Sequence, residues 1–186
     1  TPPMRLPTSQ EMTALYGQYH TPASIQDHMV MVGAIAAELA RYHPVSVDLV
    51  VAAAKLHDLV RIPEQWPYVP KHISTPQPHA EINYQLLVAD FPEVAAIIRP
   101  HSLMTILQDN PFPSLEAKLV YYADKRVNHA NIVSLHQRLE LGQDRWHVQP
   151  DQDRRSDLIP KLLELEQELF HTIPYDPAEL KNHLTR

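Results

Sequence analysis

The dipeptide His57-Asp58 closes the most apolar stretch of the chain, VDLVVAAAKL. An imidazole and a carboxylate side by side on a buried helix are expensive to desolvate unless something compensates. A metal ion is the natural compensation, because it takes both groups in their deprotonated forms. Four further residues extend the idea. His28 lies in SIQDHMVMVG, one turn after Ile25 and one before Val32, so it faces partly inward. Asp124 lies in LVYYADKRV, surrounded by Leu119, Val120 and Ala123. His79 begins the segment after a proline-rich stretch, and His101 ends VAAIIRPH. The intervals are 29 residues from His28 to His57, 21 from Asp58 to His79, 22 from His79 to His101 and 23 from His101 to Asp124. Each interval is about one helix and a connection. Successive helices of an antiparallel bundle can therefore each deliver one ligand to a common interior point.

The composition agrees. The 186 residues include 12 His, no Cys, 3 Gly and 18 Pro. Average usage would give about 13 Gly and about 9 Pro. So few glycines disfavour hairpin-rich folds, and neither GxGxxG nor GxxxxGK[ST] occurs. The absence of Cys excludes disulfides, thiolate zinc sites, Fe–S clusters and thiol nucleophiles. A net charge of −6 shows no basic excess, so a polymeric nucleic acid is not an expected partner. A small phosphorylated ligand held through metal remains compatible. No apolar run approaches the roughly 18 residues of a membrane span. The start, TPPMRLPTSQ, lacks the basic and apolar regions of a signal peptide, which makes the cytoplasm the default expectation.

The elements that must position these residues read as helices. Thr8 with Glu11 is a capping box. Thr21-Pro22 reads as an N-cap followed by Pro at the first helical position, opening a helix with Ile25, Met29, Val32, Ala36 and Leu39 on one face. Ser46 caps a helix over 47–60 that is apolar nearly all round, hence central and buried. Further helices are expected at about 78–90, 93–101, 114–128 (capped by Ser114), 131–141 and 156–172, with a short one after Asp176-Pro177. No strand-like alternation stands out. The expected architecture is all-α: one domain, 1–186, with a core at about 8–141 and a C-terminal helical extension, 142–186. Residues 61–77, with Pro63, Pro67, Pro70 and Pro76, form an irregular stretch. It is either a lid carrying Trp66 and Tyr68 over a pocket or a surface excursion pinned by those aromatics. The stripe Leu158, Leu162, Leu165 and Leu169 is expected to pack locally against the main body rather than in a dimer zipper.

With these pieces in place, the sequence resembles the HD-domain superfamily of metal-dependent phosphohydrolases, whose signature is H…HD…D. The resemblance spans about residues 13–140 and rests on DHMVMVGAIA around His28, AAAKLHDLVRIPE around His57-Asp58 and VYYADKRV around Asp124. The extra His79 and His101 are similar to the six-ligand branch. That resemblance implies one metal held by His28, His57, Asp58 and Asp124, with Asp58 bridging to a second held by His79 and His101. Two departures stand out. The frequent HDIGK is His57-Asp58-Leu59-Val60-Arg61 here, and the His-His pair common at the fifth ligand is His101-Ser102. Arg61 keeps the cation and can grip phosphate bidentately. Its structural alternative is an ion pair with Glu64.

Imidazole and carboxylate without thiolate suit Fe, Mn, Co, Ni or Zn, with Mg a further candidate, as one or two divalent ions. Such ions activate water toward phosphorus and neutralise charge on phosphoryl oxygens. The expected function is therefore metal-dependent hydrolysis of a phosphoester or phosphoanhydride in a nucleotide or other small phosphorylated substrate. Asp58, Arg61 and Lys125 are the expected catalytic residues, and Arg61, Lys125 and His129 the expected substrate contacts. Lys125 follows a ligand and His129 lies one turn on, so both could line the pocket rim. The alternatives are a di-iron oxygenase on the same ligands and a non-catalytic, metal-stabilised binding module. A homodimer is a candidate assembly. His20, His43, His72, His136, His147, His171 and His183 fit no ligand spacing and read as surface residues. Specificity is expected to lie in 61–77, 102–113 and 142–155.

Overall fold

The computed structural model describes residues 3–142 and 152–184. Local chemistry starts three of its helices as expected. In α1 (Ser9–Gln18), the Thr8 hydroxyl accepts from Glu11 N–H while the Glu11 carboxylate accepts from Thr8 N–H. Ser46 caps α3 (Val47–Leu56) through Leu49 N–H, and Ser114 caps α6 (Leu115–Lys125) through Ala117 N–H. Capping of this kind contributes on the order of 1 kcal/mol per helix start. The helix α2 (Ala23–Ala40) differs. Its N-cap is Pro22, with no side-chain cap. Thr21 instead donates its hydroxyl to the Leu59 carbonyl at 2.7 Å. The tertiary partner takes the hydroxyl that local geometry would have used at the helix start.

The remaining helices are α4 (His79–Leu87), α5 (Pro92–Ile98), α7 (Leu135–Gly142), α8 (Gln152–Phe170) and α9 (Leu180–Leu184). Their order and number make the described chain an all-α fold. The central helix is α3, packed against α2, α5 and α6. Its Leu49, Val50, Ala52, Ala53, Ala54 and Leu56 are all buried, as an apolar-all-round helix requires. Around it lie Ile35 and Leu39 of α2, Ile98 of α5 and Leu119 and Val120 of α6, each fully buried. Each such side chain contributes about 1.5–3 kcal/mol relative to exposure. A Cβ added at Gly33 would come 3.2 Å from Cγ of Lys55, so glycine lets the Lys55 stem cross α2 closely. Leu158, Leu162, Leu165 and Leu169 of α8 join the same core, so the stripe packs locally.

Several boundaries depart from the sequence reading. The central helix ends at Leu56, with His57 as its C-cap, rather than continuing to 60. The segment 93–101 is α5 followed by a 3-10 turn at Arg99–His101, because Pro100 adopts non-helical angles (φ −85°, ψ 19°). The helix expected over 114–128 stops at Lys125. Beyond it, β1 (Val127–Asn128) pairs antiparallel with β2 (Asn131–Ile132), and His129 takes the positive φ of 55° that the tight turn needs. So His129 lies in a hairpin turn, not on the helix face of Lys125. Part of the polar segment 142–155 lies outside the described residues, as does His147. Among the described residues, no helix is long and apolar enough to cross a membrane.

Candidate metal centre

Helix ends and single helical turns bring the six candidate residues to one interior point. His57 sits where α3 runs out, and its ring nitrogen Nδ1 lies 2.7 Å from the Ala54 carbonyl in the last turn. His101 repeats the device: its Nδ1 lies 2.7 Å from the Ile98 carbonyl. Carbonyls at a helix C-terminus lack the next turn's N–H groups, so an imidazole three residues on can satisfy one. His28, in the first half of α2, turns its Nδ1 to the His129 carbonyl at 2.8 Å. A carbonyl only accepts, so Nδ1 carries the hydrogen in all three rings. In the neutral imidazole that leaves the Nε2 lone pair facing inward, the arrangement that orients histidine toward a cation.

The inward nitrogens converge on two buried carboxylates. His28 Nε2 lies 3.0 Å from Asp124 Oδ1, and His57 Nε2 lies 3.4 Å from both Asp124 Oδ1 and Asp58 Oδ2. On the other side of Asp58, Oδ1 lies 3.2 Å from His79 Nε2 and 3.3 Å from His101 Nε2. His28, His57 and Asp58 form one group able to hold a metal ion; Asp58, His79 and His101 form another. His57 Nε2 and Asp58 Oδ1 are buried and have no hydrogen-bond partner among the described residues. Orphaned polar atoms in a dry interior are costly. Here Nε2 of the neutral ring and the carboxylate oxygen both turn lone pairs toward the same small space, and a divalent cation would satisfy both. The donor set therefore fits a metal.

The electrostatics follow from the crowding. Burial penalises the carboxylate of Asp58, but His57 and Arg61 outweigh it and hold its pKa well below the usual range. Asp124 is likewise held low, with Lys125 and His28 outweighing burial. Burial also opposes the charged form of His57, yet Asp58 and Asp124 lift it to about 10. His101 goes the other way, to about 4, through burial and the neighbouring imidazoles, against the pull of Asp58.

Two buried amides hold the turn that carries His57, Asp58 and Arg61. The Asn83 side chain, fully buried on α4, accepts from Val60 N–H and donates to the carbonyls of His57 and Val60. Gln65 accepts from the N–H groups of Arg61 and Ile62 and donates to the carbonyls of Tyr19 and Leu59. Neither residue was singled out in the sequence. Asn83 carried a signal, since it shares a buried helical face with Ala80 and Leu87. Gln65, inside a proline-rich stretch, carried none. The 61–77 segment is thereby pinned. Its residues 63–68 form a 3-10 turn, and Tyr68 stacks on His20 at 3.7 Å between ring centroids. Trp66 and Tyr68 line neither this site's cavity nor the one beside it. The excursion is fastened by one amide as much as by its aromatics.

A cavity of about 180 Å³ opens over the cluster, lined by Asp58, Arg61, His79, His101, Asp124 and Lys125, with Arg138 of α7 added from outside. A larger groove of about 470 Å³ lies between residues 106–112, α6 and α8. Its charged groups include the pairs Lys118–Glu168 and Lys161–Glu164, and none of the six candidate ligands lines it. Arg61 pairs with Asp58 Oδ2 at 2.6 Å rather than with Glu64. Lys125 is buried rather than at the rim. Its ammonium contacts the Asp124 carboxylate, donates to the His101 carbonyl at 2.8 Å and lies 4.5 Å from the Tyr121 ring centre. His129 contributes its carbonyl to His28, and its side chain is outside the cavity over the cluster.

No curated protein and no solved structure matches the chain. The sequence model of the HD domain matches residues 25–128, more than half of the 186. That span starts just before His28 and closes just after Asp124, taking in all six converging residues. The chain belongs to the HD domain family.

Proposed function

We propose that this protein is a metal-dependent phosphohydrolase with a two-metal centre, acting on a small phosphorylated substrate such as a nucleotide. The observation that carries the reading is the sharing of Asp58 between two three-residue groups of ligand atoms. On this reading His28, His57, Asp58 and Asp124 hold one ion, and Asp58, His79 and His101 hold the other. Bound divalent metal supplies Lewis-acid charge and activation of water toward phosphorus.

The chain's own residues do the rest. Arg61 and Arg138 offer planar forks to phosphoryl oxygens at the mouth of the cavity. Lys125 keeps the Asp124 carboxylate oriented and adds positive charge behind it. Asn83 fixes the turn on which His57 and Asp58 sit. Leu103 and Leu139 shield one side of the cavity from water. A rim of guanidinium groups suits an anionic substrate better than the neutral organic substrate an oxygenase would take.

The test is metal analysis of the purified chain, followed by a nucleotide and phosphoester panel with Mn, Fe, Co, Ni and Mg. The expected result is about two ions per chain and turnover. Asp58→Ala should lower turnover by about 10³-fold, roughly 4 kcal/mol of lost transition-state stabilisation. Full activity in Asp58→Ala, or no turnover of any phosphoester by the metal-loaded chain, overturns the reading.

A further inference from the structure

The four candidate histidines are not held alike. Nδ1 of His28, His57 and His101 each meets a backbone carbonyl. No such bond orients His79 among the described residues. Its side chain is 35% exposed, where those of the other three are 4% or less. His79 is the first residue of α4, and its N-cap, Pro78, offers no side-chain cap. The stretch before it bonds to itself: the N–H groups of Ile73 and Gln77 donate to the Pro70 and Thr75 carbonyls, and the Gln77 side chain donates to Ser74. His101 is buried, and its carbonyl accepts from Lys125. Even so, Nε2 of His79 and Nε2 of His101 lie 2.9 Å apart, and both face Asp58 Oδ1. That spacing depends on how the start of α4 is held against the turn at Arg99–His101.

A tie joins the two elements two residues away from each histidine. Arg99 donates through Nε to Glu81 Oε2 at 2.8 Å and through Nη2 to Glu81 Oε1 at 3.0 Å. Two parallel bonds from a planar fork fix an angle as well as a distance. The guanidinium also lies over Tyr84, one turn along α4, at 4.1 Å from the ring centre. On the α4 side, Gln85 donates to Glu81 Oε1 at 3.2 Å. Neither Arg99 nor Glu81 lines the cavity over the cluster. The pair lies at the surface, where ion pairs add little to global stability. Its geometry, forked and stacked, serves position.

We infer that Glu81 and Arg99 form a clamp that positions His79 against His101, and thereby sets the affinity of the ion assigned to Asp58, His79 and His101. This deepens the two-metal reading above and rests on it. Glu81 and Arg99 are positioning residues, acting through the two imidazoles. Their charges alone would act in opposite directions: loss of Arg99 would favour a cation nearby, and loss of Glu81 would disfavour it. Positioning gives both losses the same sign.

The test titrates the metal-free full chain with Mn by calorimetry, in the absence of substrate. The class of site lost in His79→Ala identifies the second ion. In Arg99→Gln and in Glu81→Gln that ion should bind about tenfold more weakly, as for other groups that orient ligands, with the first ion within about twofold of wild type. Arg99→Lys keeps the charge but not the fork, and should bind the second ion about threefold more weakly. Circular dichroism checks that each variant keeps its helices. A second ion held as tightly as in the wild type, or more tightly, in Arg99→Gln overturns the inference. So does an Arg99→Lys chain that equals wild type, since charge would then account for the effect. Two ions with no weakening in either Gln variant remove the clamp alone. Saturation of the wild type at one ion removes the two-metal centre and the clamp with it. Two ions and the expected weakening, without turnover of any phosphoester, remove the phosphohydrolase reading and leave the clamp.

Discussion

Two faces of α6 bury polar groups within five residues of each other, and they do so to opposite ends. On one face, Asp124 meets the imidazoles of His28 and His57 while Lys125 donates to the His101 carbonyl, and the cluster retains orphaned atoms at His57 Nε2 and Asp58 Oδ1. On the other face, Arg126 donates to the carbonyls of Val133 (2.7 Å) and Pro177 (3.0 Å) and to the Tyr122 hydroxyl. The Tyr122 hydroxyl donates in turn to Glu166 on α8. This second network closes on itself. Its product is mechanical: it ties the hairpin, α8 and the segment before α9 to the helix that carries Asp124. A closed buried network stabilises, whereas a buried set that leaves donors and acceptors facing one space is built for something that is not the chain.

Breaking the closed face should damage stability and spare metal. Arg126→Ala removes four hydrogen bonds and leaves buried carbonyls and Glu166 without their cation, a loss of about 3 kcal/mol. Chemical denaturation should show that loss, while elemental analysis of the folded fraction shows unchanged metal content. A drop in metal stoichiometry with unchanged stability would invert the assignment of the two faces.

Asn83→Ala tests the boundary between them, since Asn83 lies off α6 but holds the turn bearing His57 and Asp58. Stability should fall by roughly 2 kcal/mol, because the Val60 N–H and two carbonyls are left buried and unpaired. Metal affinity should fall about 10- to 100-fold, as for other groups that orient ligands. Competition against a chelator measures the second effect. Unchanged affinity would mean that the turn holds its shape without the amide.

The smallest expected effect is a proton. With metal stripped by chelator, His57 stays protonated up to about pH 10, because Asp58 and Asp124 outweigh its burial. Asp58 and Asp124 are already ionised, and His101 is already neutral above about pH 4. Metal takes His57 only as the neutral ring, so binding near pH 7.5 should release about one proton from it. Release on binding means that raising the pH favours binding, up to the His57 pKa. Calorimetry in buffers of different ionisation enthalpy counts the proton; a count near zero would mean that His57 is already neutral in the metal-free chain.

Much of the fold was legible because it is written locally. The capping box at Thr8 and Glu11 and the caps at Ser46 and Ser114 act over three residues, and the apolar period of α3 acts over one helix. The spacing of His28, His57-Asp58, His79, His101 and Asp124 was legible for the same reason, since each falls once per helix. The errors come where a distant partner competes with a local rule. Thr21 leaves its capping position for the Leu59 carbonyl, and α6 stops at Lys125 because Arg126 turns to anchor the hairpin. His129 illustrates both effects: its carbonyl, not its ring, reaches His28 across 101 positions of sequence.

By itself, then, the sequence determined which side chains could ligate, that they lie on successive helices, and that α3 must be the buried centre. Those are matters of residue type and period. The tertiary structure alone decided that Nδ1 of three histidines is spent on carbonyls, that Asn83 and Gln65 clamp the His57-Asp58 turn, and that Arg138 stands with Arg61 over one cavity. Such contacts join residues far apart in the chain. Their energies depend on how helices pack, which no local pattern of residues encodes.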